Sequence, residues 1–596
     1  MMKTVPQRLS ELRAAMAKSG CDLFIMPSSD AHASEYAPAH EMAWVYFSGF
    51  SCENANLVVA QEEAALWVDG RFFGAADAAL RDTGVDSMHM GVKGVPTVEQ
   101  WLEQRLSEGK VLGYCAEVMP VEQMRRLKAV CQRKGAKLVD LPLVDEVWTE
   151  DRPALPATKA WLLDAAYAGE TAEQKLLRLR EKLREQDCDA MLVTTLDSVA
   201  WLLNLRACDV DNTPYALAFC YVDPDKAVLF MDATRLEAQA AKELEKAGVI
   251  LRGYHDMPAY LAENTEKHTV LVDPSSLNAA LDNALRSNAA YTLVEGKNPV
   301  AMFKAVKNET ELRVTAEAHL HDAAAMVRFQ MELEERMARG EALREVDVDT
   351  ILHKYRSANP GFLMESFPTI AAYGENAAKM HYSAKEGADA EIQPRGLLLV
   401  DSGATYYTGT TDITRTYAVG PLTEEEKLAY TRVLRCHVDI AMAVWKEGAT
   451  GGELDMLSRQ PLWRHMLDYR CGTGHSVSHV GAVHEGPHSL RPHNAVAFVP
   501  GMVITDEPGL YEEGKLGIRI ENELVCAEAG ESEYGKYLCF RPLTYVPIDL
   551  TAVLPEELTR EEKEWINWYH AETFEKVHGL LNEAECQWLR RKCQAI

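Results

Sequence analysis

Two stretches of this chain repeat one hydrophobic pattern. Gln7-Arg8-Leu9 through Cys21-Asp22-Leu23-Phe24-Ile25-Met26 aligns without gaps on Gln174-Lys175-Leu176 through Cys188-Asp189-Ala190-Met191-Leu192-Val193. In each copy, leucines at helical spacing lead to a Cys-Asp break and a short apolar run, which predicts an amphipathic helix feeding a buried strand. Two α/β domains of one ancestry are therefore expected. Pro153 and Pro156 favour an extended connector after the first, and the texture changes again near Pro299, so the expected spans are 1–155 and 156–299. Beyond them, Glu309 to Arg339 is rich in Glu, Ala, Met and Leu and predicts a long helix. Strands such as Leu397-Leu398-Leu399-Val400 and Met502-Val503-Ile504 follow, within an expected third domain at 300–546. The remainder, 547–596, is charged and carries tryptophans at helical spacing from Pro555 on, which reads as a terminal packing or dimerisation helix.

Composition narrows the class. At 596 residues the chain exceeds one ordinary core, and 47% hydrophobic with 26% charged residues suits a folded, soluble protein. The formal charge of -28, from 62 basic and 90 acidic side chains, repels nucleic acid and anionic lipid and suits neutral or cationic partners such as a peptide amino terminus. The same balance also serves plain solubility. No apolar run approaches a membrane span, and the stretch from Met1 to Gln7 leads into an amphipathic segment rather than a signal core, so a cytoplasmic protein is expected. Thirteen cysteines with no C-x-x-C pair predict reduced thiols.

The candidate chemistry lies in the third region. The strand Leu397–Val400 ends in Asp401, and after Gly403 and a Tyr406–Gly409 turn the chain returns through Asp412-Ile413-Thr414-Arg415. A hairpin of that length can set Asp401 and Asp412 side by side. Neighbouring anions repel unless a cation lies between them, which suggests a metal, although Asp at a strand end is also ordinary turn chemistry. Gly472-Thr473-Gly474-His475 adds an imidazole, Asp506-Glu507-Pro508-Gly509 a carboxylate at a strand end, and Gly517–Asn522 a period-two strand on which Arg519 and Glu521 share a face. Four carboxylates and one His suit two hard or borderline divalent ions, Mn²⁺ before Zn²⁺ or Co²⁺. Two ions about 3.5–4 Å apart can hold both attacking and leaving oxygens in amide hydrolysis. His484-Glu485-Gly486-Pro487-His488 matches H-E-x-x-H, but that motif works on a helix, which Gly-Pro breaks. Ser476 and Ser478 lack the strand-turn-helix context of a nucleophilic serine.

At these residues the sequence resembles the creatinase/prolidase/methionine aminopeptidase "pita-bread" superfamily, and specifically its three-domain cytosolic Xaa-Pro aminopeptidases. Pro27-Ser28-Ser29-Asp30-Ala31-His32, Val68-Asp69-Gly70-Arg71, Tyr167-Ala168-Gly169-Glu170-Thr171 and Phe540-Arg541-Pro542-Leu543-Thr544 extend the match over the chain. The resemblance implies an α/β (α+β) architecture, two creatinase-like domains before a pita-bread catalytic domain, and removal of the N-terminal residue from peptides with proline second. It implies that Asp401, Asp412, His475, Glu507 and Glu521 are the metal ligands, Asp412 and Glu521 bridging. Glu507 is then the proton shuttle, His381 and His484 bind the scissile carbonyl or the tetrahedral intermediate, and Arg71 reaches the substrate from the first domain. Cys471 stands where the family usually has a histidine; a thiol is smaller and a poorer donor, so substrate contacts there are expected to differ. A homodimer is implied as well. Two other readings remain open: a prolidase restricted to dipeptides, and a catalytically silent module that binds peptides.

Overall fold

The duplication is visible strand by strand. The computed structural model describes residues 3–596; Met1 and Met2, the first residues of the stretch read as non-signal, lie outside them. The first repeat forms helix Val5–Lys18 and strand Leu23–Pro27, the second helix Ala172–Glu185 and strand Ala190–Val193. Each helix buries its leucines, Leu9 and Leu12 in one and Leu176, Leu179 and Leu183 in the other, and Thr171 caps the second by accepting from the amide of Gln174. Each strand becomes an inner member of a six-stranded sheet. The first sheet runs Asp86–His89, Ala64–Val68, Asn56–Ala60, Leu23–Pro27, Val111–Tyr114, Lys137–Asp140. The second runs Val249–Arg252, Ala227–Phe230, Phe219–Val222, Ala190–Val193, His268–Val272, Tyr291–Glu295. Both share one pattern of directions, two antiparallel pairings on one side of the repeat strand and parallel pairings beyond. Both lobes belong to one compact unit, Met1–Leu163 with Glu170–Val300.

The other unit comprises Asp164–Gly169 and Ala301–Ile596. Its long helix runs Glu309–Ala338, one residue short of the expected end. Asn308 caps it, accepting from the amide of Glu311 while donating to the carbonyl of Ala168. Met326, Val327 and Phe329 of that helix pack on Leu398, Val400, Ile413 and Tyr417. Those residues belong to an antiparallel sheet of Ile370–Tyr373, Leu397–Ser402 and Ile413–Ala418. A second sheet orders Val444–Lys446, Gly535–Pro542, Asn522–Ser532 and Val503–Asp506. Helix Glu424–Ala441 lines a further core with Ile518, Ile520, Ile566 and Tyr569.

One expectation needs correction and a second is refined. The period-two strand Gly517–Asn522 is not continuous: Leu516–Arg519 pairs with Gly509–Glu512, the chain leaves that hairpin at Ile520, and Asn522 opens a strand of the four-stranded sheet. Ile518 and Ile520 are buried together as expected, so the alternation survives the change of sheet. The tail is two helices, Arg560–Val577 and Glu583–Lys592, and it packs on its own chain. Val577, Trp588 and Leu589 join the core of the long helix, and burying each large side chain there contributes roughly 2 kcal/mol. All thirteen cysteines are free thiols, and no helix among the described residues is long and apolar enough to cross a membrane.

Candidate metal centre

The predicted hairpin forms, and its register sets the site. Asp401 pairs with Thr414 and Ser402 with Ile413, so Asp412 lies one step diagonally across from Asp401 on the face that also carries Thr414. Ala404–Tyr406 and Gly409–Thr410 make a small side excursion between the two strands. Gly403 permits it: a Cβ there would stand 1.9 Å from the carbonyl oxygen of Thr411. His475 sits in the short strand Gly474–Ser476, where a Cβ on Gly474 would meet the Thr505 carbonyl oxygen at 1.8 Å. That close approach lets the amide of His475 donate to Thr505 Oγ1 at 3.0 Å, while the amide of Glu507 donates to the Thr473 carbonyl at 2.7 Å. Glu521 occupies the break between two sheets, its amide donating to the Thr414 carbonyl at 3.1 Å.

These residues converge. One ligand atom each from Asp412, His475 and Glu521 lies within 4.8 Å of the others. His475 Nε2 is 3.4 Å from Asp412 Oδ2 and 3.4 Å from Glu507 Oε1. Asp401 is tied in through Arg519, whose Nη2 donates to Asp401 Oδ2 at 2.5 Å and whose Nε donates to Thr414 Oγ1 at 3.1 Å. Thr414 Oγ1 in turn donates to Glu521 Oε2 at 2.7 Å. Burial, and then Asp401 and Glu507, push the Asp412 carboxyl well above the usual carboxylate range. Burial, and then Asp412 and Glu507, do the same to Glu521. Asp401 Oδ1 and Glu521 Oε1 are buried without hydrogen-bond partners. Four carboxylates against the one guanidinium of Arg519, with two orphaned buried oxygens and an imidazole, form a donor set fitted to divalent cations, which would hold the acids ionised. Glu507 is the most open of the five, its side chain 21% exposed.

The remaining predicted residues divide. The ring of His484 stands edge-on to His475, centroids 4.2 Å apart. His381 is exposed on the segment after Gly374–Ala378, whose Ala377 carbonyl lies against Gly517. Buried Glu345 fastens that segment, accepting from the amides of Tyr373 and Ala390 and from the Tyr382 hydroxyl at 2.6, 2.7 and 2.7 Å. Arg71 belongs to the first unit, where its guanidinium donates to Asp69 at 2.7 Å. Burial, and then Glu507, push the Cys471 thiol up to about 12, so it is a neutral thiol near pH 7. The H-E-x-x-H decoy is a strand, Glu485–Leu490. His488 Nε2 bonds the Val503 carbonyl, and Glu485 is a buried anion between Lys304 and Lys307 that also accepts from Ser476 and Ser478. Both serines are thereby accounted for.

Sequence reading passed over four supporting side chains. Thr414 and Arg519 were visible as faces of their strands without an assigned partner. Glu523, fully buried, accepts from the amide of Asp412 at 2.7 Å, and its face is legible from Glu521 two residues earlier. Glu345 had no signal, because its donors come from distant segments.

The family comparisons agree along the chain. Models of the creatinase/prolidase N-terminal domain match residues 8–147 and again 151–311; metallopeptidase family M24 matches 314–528, and the C-terminal region of peptidase M24 matches 536–596. Aminopeptidase P2 of Arabidopsis thaliana is 36% identical over 98% of this chain and 88% of its own length. A probable Xaa-Pro aminopeptidase P of Tuber melanosporum is 35% identical, with both chains covered completely. The crystal structure of X-prolyl aminopeptidase from Caenorhabditis elegans, described as a cytosolic enzyme with a di-nuclear active site, superposes with a TM-score of 0.94 at 33% identity over 100% of both chains. An Xaa-Pro dipeptidase from Bacillus anthracis shares the fold over 64% of this chain and 100% of its own at TM-score 0.51 and 23% identity. With two creatinase-type domains, an M24 domain and relatives matched end to end, the chain belongs to the aminopeptidase P group of metallopeptidase family M24.

Proposed function

We propose that this chain is a dinuclear metal-dependent Xaa-Pro aminopeptidase, hydrolysing the bond between the first residue of a peptide and a proline in second position. The observation that carries the reading is the convergence of His475 with the buried carboxylates of Asp412 and Glu521 and with Glu507, in a cluster short of positive charge. Asp401, Asp412, His475, Glu507 and Glu521 are the residues that would hold two divalent ions, Mn²⁺ by preference for an oxygen-rich set. The ions supply Lewis-acid activation of the water and of the scissile carbonyl. Glu507, the most exposed of the five, takes the proton of the attacking water and passes it to the proline nitrogen. His484, packed on His475, and His381 donate to the oxygen on which charge develops. Arg71, held by Asp69 within the first unit, keeps the substrate-binding role that the family resemblance gives it. Thr414 and Arg519 orient carboxylate oxygens. The enzyme works in the cytosol as a homodimer, for which Met456, Leu457, Trp463 and Met466, exposed on and just after helix Gly451–Trp463, offer an apolar face.

The test is release of the first residue from Ala-Pro-Ala and Arg-Pro-Pro-Gly. Activity is expected to vanish with EDTA, return with Mn²⁺, and fall by about three orders of magnitude in Asp412→Asn. Release of Arg from the tetrapeptide separates an aminopeptidase from a prolidase. Turnover that survives chelation, or an intact rate in Asp412→Asn, defeats the reading.

A further inference from the structure

The second α/β lobe, in the unit without the catalytic carboxylates, gathers another set of metal-ligating side chains at one end of its sheet. Asp223 follows strand Phe219–Val222, and His268 opens strand His268–Val272 with Glu266 two residues before it. One ligand atom from each lies within 4.8 Å of the other two. Asp223 is 2% exposed; its Oδ1 accepts from the amides of Asp225 and Lys226, and its Oδ2 is buried without a hydrogen-bond partner. The His268 side chain is 10% exposed, and neither ring nitrogen makes a hydrogen bond. Its Nδ1 stands 3.3 Å from Asp189 Oδ1, and its Nε2 3.7 Å from Glu266 Oε2. With Nδ1 turned to Asp189, Nε2 is the ring nitrogen that faces Glu266 and is placed to meet a metal.

The duplication provides an internal control. Val222 pairs with Met191, and Val270 with Ala190; in the first lobe Val59 pairs with Phe24 and Leu112 with Leu23. Under the alignment of the two repeats, Asp223 corresponds to Ala60 and His268 to Lys110. Glu266 has a counterpart in Glu108, but the shared scaffold does not require Asp223 or His268, so the complete triad belongs to the second lobe alone.

We infer that Asp223, Glu266 and His268 form a further divalent-cation site, suited to a borderline transition ion such as Zn²⁺. One imidazole and two carboxylates are three of the four donors such an ion takes, and water completes the set. Lys226 already marks the position as favourable to positive charge: its Nζ lies 3.6 Å from Asp223 Oδ2 and 3.4 Å from Glu266 Oε2. An arriving ion displaces that ammonium, whose side chain is 33% exposed and free to swing outward. Lys226 therefore weakens the site, and its removal strengthens it.

The wild-type chain and its His268→Lys, Asp223→Asn and Lys226→Met variants are dialysed against Zn²⁺, and zinc per chain is counted. The wild type is expected to hold one ion more than His268→Lys and Asp223→Asn. Lys226→Met is expected to bind that ion about tenfold more tightly, having lost a competing charge. His268→Lys installs the residue type found at the matching place in the first lobe, and melting curves in EDTA establish that each variant folds. Equal zinc counts in all four proteins overturn the site. So does a Lys226→Met protein that melts lower and gains no zinc affinity, since the lysine is then the cation the cluster was built around.

Discussion

Thr414 shows how a single hydroxyl supports the centre. It accepts from Arg519 and donates to Glu521, so it fixes which oxygen of Glu521 is already engaged and which is left for a cation. Thr414→Val keeps the shape and removes both bonds. It is expected to raise the Mn²⁺ concentration needed for half-maximal activity by about tenfold to a hundredfold, with little change in the rate at saturating metal. An unchanged metal requirement shows that the hydroxyl only fills space. His488 illustrates the opposite case. Its position in an H-E-x-x-H string suggests a ligand, yet the ring is buried and bonded to a backbone carbonyl, and burial pushes it down to about 4.

At the scale of elements, buried Arg415 joins the hairpin to the strands beyond it. It donates to the carbonyls of Glu521 and Val546, to Asn522 Oδ1, and to the hydroxyl of Tyr569 on the first tail helix. The contact between helices Glu424–Ala441 and Arg560–Val577 has an electrostatic cost of its own. Burial, and then Glu562, push the Asp439 carboxyl from 3.8 to about 7. The folded chain thus keeps a proton there that the unfolded chain releases above its ordinary carboxylate pKa. Stability from this group is greatest below pH 3.8 and falls as pH rises through 7. Asp439→Asn removes the titration, and is expected to stabilise the protein at pH 8 by about 1–2 kcal/mol and by less at pH 5. Thermal melts at the two pH values check it; a lower melting temperature at pH 8 speaks against the assignment.

For the whole molecule, the tail is part of the catalytic unit's core. Ile566, Tyr569, Val577, Trp588 and Leu589 are each 4% exposed or less, and Tyr569 reaches the Arg415 network. Deleting residues 560–596 is expected to abolish cooperative melting of the catalytic unit and leave the protein insoluble or aggregated, because several large side chains lose their cover at once. Size-exclusion chromatography and a thermal melt decide. A soluble, active monomer would instead make the tail a dimerisation element.

Much was legible from local order. The helix-to-strand duplication is legible from periodicity, and both copies fold alike because each puts a short apolar run after an amphipathic helix and buries it as an inner strand. Asp401 and Asp412 were legible because a hairpin of that length leaves few registers. The chain alone also excluded the zincin, through Gly-Pro. Other features depended on contacts between residues far apart in sequence. Glu521 meets Asp412 because the chain changes sheet at Ile520, Glu345 collects donors from positions 373 to 390, and the cations of Lys304 and Lys307 neutralise Glu485. Charge and hydrogen-bond balance in a buried site is settled by which segments tertiary packing brings together, and no local pattern encodes that.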